Sequence, residues 1–128
     1  MDKINQLDSI FSQFIRLRDS KAYGFEYFQC ISCGAVLPFD HADCGHYIKR
    51  SNMATRFDED NCHSQCITCN RFRQGNVENF RRNLVKKIGE DKVEELERKG
   101  RGIAKFSSGD IEEMIKVYKE KVKKMKAL

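Results

Sequence analysis

Apolar residues recur along this chain with two different periods. Ile4, Leu7, Ile10, Phe11, Phe14, Ile15 and Leu17 fall at helical spacing. They predict an amphipathic helix over residues 3–19 with a wide apolar face, ended by Ser20–Gly24. Phe25-Glu26-Tyr27-Phe28 is short and aromatic and reads as a strand, and Ala35-Val36-Leu37 runs until Pro38 stops it. From Cys44 to Lys49 the period falls to two. Cys44, His46 and Ile48 share one face of a strand there, and Gly45, Tyr47 and Lys49 share the other. Residues 51–60 are polar, lack a period and read as a loop. After the break at Gly75-Asn76, with Asn76 as candidate N-cap, the residues Val77, Phe80, Leu84, Val85 and Ile88 repeat at helical spacing until Gly89. A short helix follows from Glu90 to Lys99, ended by Gly100 and Gly102. A last helix opens at Ser107 with Asp110 as its capping-box partner, and carries Ile111, Met114, Ile115, Tyr118, Val122 and Met125 on one face.

Two hairpin strands followed by a helix, between helical flanks, predict an α+β fold that is mostly helical. The chain divides into an N-terminal helix (1–24), a core (25–89) and a C-terminal helical extension (90–128). With 128 residues and a mean hydropathy of −0.66 the apolar core is modest, and a stapling metal would help it.

The formal charge of +5 suits an acidic partner such as nucleic acid, and its distribution sharpens the reading. Arg71, Arg73, Arg81, Arg82, Lys86 and Lys87 stand against the single acid Glu78, a candidate phosphate-facing surface. The lysines from Lys116 to Lys126 read as a solvated helix face. Asp2, Lys3, Asp8, Arg16 and Arg18 interrupt the apolar residues between Met1 and Arg18. That stretch is therefore expected to be neither a signal peptide nor a spanning helix, which points to the cytoplasm, no membrane partner and reduced cysteines.

Reduced cysteines in close pairs read as metal ligands. Cys30-Ile31-Ser32-Cys33 and Cys66-Ile67-Thr68-Cys69 form two knuckles that can meet around one tetrahedral zinc. Four thiolates close the shell and leave no position for substrate, so this zinc would be structural. Cys44 and Cys62 lie outside the knuckles and read as small buried residues.

The segment between the knuckles resembles the HNH, or ββα-metal (His-Me finger), nuclease motif. The matching residues are His46 in Cys44-Gly45-His46-Tyr47-Ile48, Asn61 in Asp60-Asn61-Cys62-His63, and Asn70 directly after the second knuckle. A tighter likeness is to the phage NinG/Rap recombination proteins. It is carried by Gly45-His46-Tyr47-Ile48, Arg56-Phe57-Asp58-Glu59-Asp60-Asn61, His63, Gln65-Cys66, Cys69-Asn70 and Gly75-Asn76. The layout is also similar to phage endonuclease VII, a junction resolvase with a four-cysteine zinc.

These resemblances imply a metal-dependent DNA endonuclease of a phage or prophage, working on branched recombination intermediates such as Holliday junctions or D-loops, as a homodimer. In that reading His46 takes a proton from the attacking water, and Asn70 offers a carbonyl oxygen to a magnesium or manganese ion. Asn61 holds the loop or the ring of His46. Many relatives of the motif carry an aspartate where this chain has Gly45, so the ion must find another anchor, be held more weakly or be absent. His63 is the leading candidate, with Asp43 and Asp40 behind it, while His41 reads as ordinary surface. The alternatives are a non-catalytic zinc module that binds nucleic acid, and an HNH enzyme acting on linear duplex.

Overall fold

The computed structural model describes residues 2–128. Helix α1 (Lys3–Ser20) opens on Asp2, whose Oδ1 accepts from the Asn5 backbone N–H at 2.8 Å. Helix α5 (Ser108–Lys126) opens on the expected capping box, with reciprocal bonds of 2.9 and 3.0 Å between Ser107 and Asp110. The apolar stripes of these two helices face each other. Leu7, Phe11 and Ile15 pack against Ile111, Ile115 and Tyr118, and Phe57 closes the cluster. Phe11 meets Tyr118 edge-on with ring centres 4.9 Å apart. Each such buried side chain contributes roughly 1.5–3 kcal/mol, so this pair of helices forms the largest core.

Two antiparallel hairpins fill the middle of the chain. Strands β1 (Tyr27–Gln29) and β2 (Val36–Pro38) pair with Phe28 opposite Leu37. The first knuckle is the turn between them, closed by Cys30 N–H to Ala35 O at 2.8 Å. Gly34 takes a φ of +78° in that turn, which a side chain would resist. Strands β3 (Ala42–His46) and β4 (Cys62–Cys66) pair with Gly45 opposite His63.

Strand β3 begins earlier and stops sooner than its alternating pattern predicts. The cause is Asn61. Tyr47 N–H still reaches the Asn61 backbone oxygen at 2.9 Å, but Ile48 N–H goes to the Asn61 side-chain oxygen at 2.8 Å, which ends the ladder. The polar stretch after it contains a single helical turn, α2 (Met53–Arg56), capped by Asn52. One turn is too short to show a period in the sequence.

After β4 the chain makes one wide turn, Thr68–Phe72, and then three consecutive residues, Gln74, Gly75 and Asn76, adopt positive φ. Asn76 does occupy the N-cap position of helix α3 (Val77–Ile88), but its side chain makes no cap bond. Its Nδ2 instead donates to the Cys69 sulfur at 3.4 Å. Helix α4 (Glu90–Lys99) folds back at Gly89, and Phe80, Leu84, Val93 and Leu96 form a third small core between the two helices. Among the described residues no helix is long and apolar enough to cross a membrane.

Candidate metal centre and cleft

Cys30, Cys33, Cys66 and Cys69 converge, with their sulfurs within 4.8 Å of one another. The first knuckle lies between β1 and β2 and the second at the end of β4, so each pair is anchored by a hairpin. Backbone N–H groups point inward at the sulfurs: Cys66 N–H to Cys30 Sγ at 3.3 Å and Cys69 N–H to Cys66 Sγ at 3.4 Å. Burial works against the Cys30 thiolate, yet the N–H groups of Cys66 and Cys33 outweigh it and hold its pKa below the usual thiol value. Burial pushes the Cys66 thiol up to about 12, and a bound cation would act in the opposite direction. The donor set, spacing and inward N–H groups fit a structural zinc. Helix α3 braces the site from outside, through Asn83 Nδ2 to Ile31 O at 2.8 Å.

Beside this cluster lies a cleft of about 450 Å³, walled by α1, β3, the residues just after β3 and the turn after Cys69. It brings together Asp8, Asp43, Cys44, His46, Asn70 and Arg71. His46 Nε2 lies 3.0 Å from the backbone oxygen of Arg56. A carbonyl only accepts, so the proton sits on Nε2 and the lone pair is left on Nδ1. Burial lowers the His46 pKa, with the Arg56 carbonyl, Asp8 and the Cys44 backbone working against it and Arg50 adding to it, so the neutral ring is favoured near pH 7.

Asn61 is fully buried, and its side chain ties three backbone groups of the segment that leads from His46 to Arg56. It accepts from Ile48 N–H, and donates to Ile48 O at 3.1 Å and Thr55 O at 3.0 Å. Asn70 Nδ2 donates to Asp43 Oδ2 at 3.0 Å, and the same carboxylate takes both Nε and Nη2 of Arg71 at 2.9 Å. Asp8, from α1, holds Arg56 through Nε at 3.0 Å and through Nη2.

His63 lies outside this cleft. It is buried on the other side of the hairpin, with Nδ1 near Arg18 (3.2 Å) and Lys87 (3.1 Å) and Nε2 at 2.8 Å from Asp60 O. Burial and these two cations hold its pKa down to about 4. Asp40 and His41 sit on a short exposed turn beside each other, away from the cleft. Gly45 is buried against Gln65, and a Cβ there would lie 2.3 Å from Gln65 Oε1.

The candidate basic surface divides. Arg81 is engaged by Glu90 and Glu97. Arg71 holds Asp43 at the cleft wall, Arg82 bonds Asn79, and Lys87 stands beside Asp19 and His63. Among the described residues Arg73 and Lys86 form no ion pair, and neither do Lys49 and Arg50, which line the cleft.

Asp8, Lys49 and Arg50 carry no motif, so sequence reasoning passed over them. Asp43 stood low among the candidates because strict alternation sets it on the face opposite His46. A two-stranded ribbon twists strongly, and neighbouring positions of β3 share the cleft.

The chain is similar to known proteins. The family model described as Bacteriophage Lambda NinG protein matches residues 1–127. Protein ninG of Escherichia phage 933W is 39% identical over 97 residues, covering 73% of this chain and 44% of that relative. Protein ninG of Escherichia phage lambda is 38% identical over 97 residues, covering 73% and 43%. Protein ninG of Salmonella phage P22 is 39% identical over the same length, again 73% and 43%. The matched part of this chain thus spans less than half the length of these curated relatives. No solved structure matches the chain.

Proposed function

This chain belongs to the Bacteriophage Lambda NinG family, and from the cleft it builds we propose that it is a metal-dependent DNA endonuclease of the HNH type. The observation that carries the reading is the His46–Arg56 contact. It orients a neutral imidazole in a cleft that also presents Asp43 and Asn70.

Hydrolysis of a phosphodiester needs an activated water, relief of charge on phosphorus and support for the leaving oxygen. His46 Nδ1 takes the proton of the water. Asn61 keeps the His46–Arg56 segment in place, so the Arg56 carbonyl stays against Nε2. Asn70 Nδ2 is committed to Asp43, which turns its carbonyl oxygen to the remaining role of hard ligand. Asp43 supplies the carboxylate that Gly45 does not. Magnesium or manganese, when bound by these oxygens, supplies Lewis-acid relief of charge at the phosphate and the departing 3′-oxygen. Arg71 holds the Asp43 carboxylate until a phosphate competes for the guanidinium. Lys49, Arg50 and Arg73 add unpaired positive charge around the cleft for the DNA backbone.

The substrate we infer is branched recombination DNA, by family likeness. Symmetrical cutting of a four-way junction needs two sites, so the working form would be a homodimer. One observation favours the rival reading of a binding module: the Arg71 guanidinium already occupies Asp43, where an ion would bind. The test is cleavage of a four-way junction and a linear duplex of identical sequence, with and without magnesium, by wild type and His46→Ala. Magnesium-dependent cutting of the junction that His46→Ala abolishes supports the endonuclease. Binding without cutting in magnesium or manganese decides for the module.

A further inference from the structure

We propose that Cys44, His46 and Cys62 form a second metal site, selective for a zinc-class ion, that takes His46 out of use when filled. The ligand atoms of the three residues lie within 4.8 Å of one another. The strand register explains why. His46 stands opposite Cys62 and Cys44 opposite Ser64, so the two cysteines are diagonal neighbours on the face that carries the imidazole.

Three features make this more than a chance cluster. The first is the donor set: two thiols and an imidazole suit zinc and reject magnesium, which needs oxygen ligands. The second is the support around it. The Arg56 backbone oxygen faces both His46 Nε2 at 3.0 Å and Cys62 Sγ at 3.6 Å. Metal-bound histidines characteristically donate one ring N–H to such an oxygen and bind the ion through the other nitrogen. The third is access. Cys44 and His46 line the open cleft while Cys62 is fully buried behind them, so three protein ligands leave a fourth tetrahedral position toward solvent. Arg50 opposes a cation here, but Asp8 acts the other way and two thiolates cancel the charge of a divalent ion.

This site is distinct from the four-cysteine cluster and, with one thiolate pair fewer, fills after it. The metal site itself stands on the geometry. Its inhibitory effect rests on the proposed role of His46, because an imidazole bound to zinc has no lone pair left to accept the water's proton.

Cobalt(II) is the probe. Protein carrying zinc in its four-cysteine cluster is titrated with cobalt in a thiol-free reductant. Wild type should take up one further equivalent, with thiolate-to-cobalt charge-transfer absorption. Cys44→Ala should lose that absorption and bind cobalt at least about tenfold more weakly, while keeping one zinc and its melting temperature. His46→Gln should keep some thiolate absorption but also weaken binding. Wild type and Cys44→Ala giving the same cobalt spectrum would overturn the site.

The inhibition is read on cleavage at saturating magnesium. Excess zinc should suppress wild type and spare Cys44→Ala. Equal suppression of both overturns the inhibitory role, even where cobalt binds. If wild type never cleaves, the endonuclease reading fails, and the cobalt titration still decides the metal site alone.

Discussion

Asn70 donates from Nδ2 to Asp43 Oδ2 at 3.0 Å, joining the residue after the second knuckle to a carboxylate on β3. The contact pairs two candidate metal ligands that sequence spacing alone does not bring together. It leads to the first prediction. Asp43→Ala and Asn70→Ala should each raise the magnesium concentration for half-maximal cleavage. His46→Ala should slow cleavage by about two to four orders of magnitude, the usual share of general acid–base catalysis, without moving that concentration. Magnesium titrations of cleavage rate for the three variants check this. A shift in His46→Ala equal to that in Asn70→Ala would merge the two roles.

Removing the four-cysteine metal should unfold the middle of the chain. The three local cores are small, and Cys30, Cys66 and Cys69 belong to one of them with Phe28 and Ala42. Structural zinc contributes roughly 10 kcal/mol in small metal domains, so Cys66→Ser or a strong chelator should abolish the cooperative melt. Elemental analysis and calorimetry measure it, and an unchanged melt without metal would contradict it.

His63 gives the protein an acid-sensitive step. Burial, Lys87 and Arg18 hold its folded pKa down to about 4, against about 6.5 in an unfolded chain. The unfolded state therefore binds the proton first as pH falls. The contribution is complete above about pH 6.5 and is lost progressively toward pH 4, with about 2 kcal/mol gone between pH 7 and pH 5. His63→Gln keeps the polar contacts without the titration. Denaturant melts at both pH values should show a smaller loss for the variant than for wild type, and parallel losses would assign the effect elsewhere.

Gly45 stands where the HNH motif that this segment resembles often carries an aspartate, and placing a carboxylate there would look like a repair. The geometry argues the reverse. A Cβ at this position meets Gln65 at 2.3 Å, and Gln65 is buried with its amide donating to Ser32 Oγ at 2.9 Å. Gly45→Asp should destabilise by roughly 1–3 kcal/mol, the usual cost of overpacking, and should not tighten magnesium binding. Gly45→Ala separates the two effects, since it adds the clash without a ligand; equal stability of Gly45→Ala and wild type would remove the steric argument.

The arginines of the basic run should not behave alike. Arg81 ties α3 to α4 through Glu90 and Glu97, and Glu97 also accepts from Tyr47. Arg81→Glu should lower the melting temperature. Arg73→Glu should leave it unchanged and reduce the salt dependence of DNA binding by about one unit of log–log slope per lost phosphate contact. Binding isotherms across salt concentrations distinguish them. Equal slopes for Arg73→Glu and wild type would move the DNA surface to Lys49, Arg50 or the lysines of α5.

Much of this architecture is legible in the residues because its signals are local and periodic. The stripes of α1 and α5, the Ser107–Asp110 box and the knuckle spacing each lie within a few residues or repeat over several turns. The cleft was less legible, since its walls come from distant segments. Asp8 joins it only because α1 packs on the β3/β4 hairpin. Asp43 joins it because a two-stranded ribbon twists. Arg81 belonged to the basic run in sequence, but the return of α4 brings two glutamates against it. Asn76 sits at a helix start without capping it, because its Oδ1, the atom a cap would use, accepts from Asn79 Nδ2 at 3.0 Å while its Nδ2 donates to the Cys69 sulfur.

Helix α1 buries Phe11 and Ile15 against α5 and turns Asp8 toward the cleft, where Asp8 grips Arg56 and the Arg56 carbonyl grips His46. The orientation of the imidazole is thus inherited, link by link, from a helix more than half the chain away. The final helix acts as a splint. Substitutions along its buried stripe at Ile115 or Val122 would tilt α1 and retune the histidine without touching it, which makes the far end of the sequence a set screw for the site.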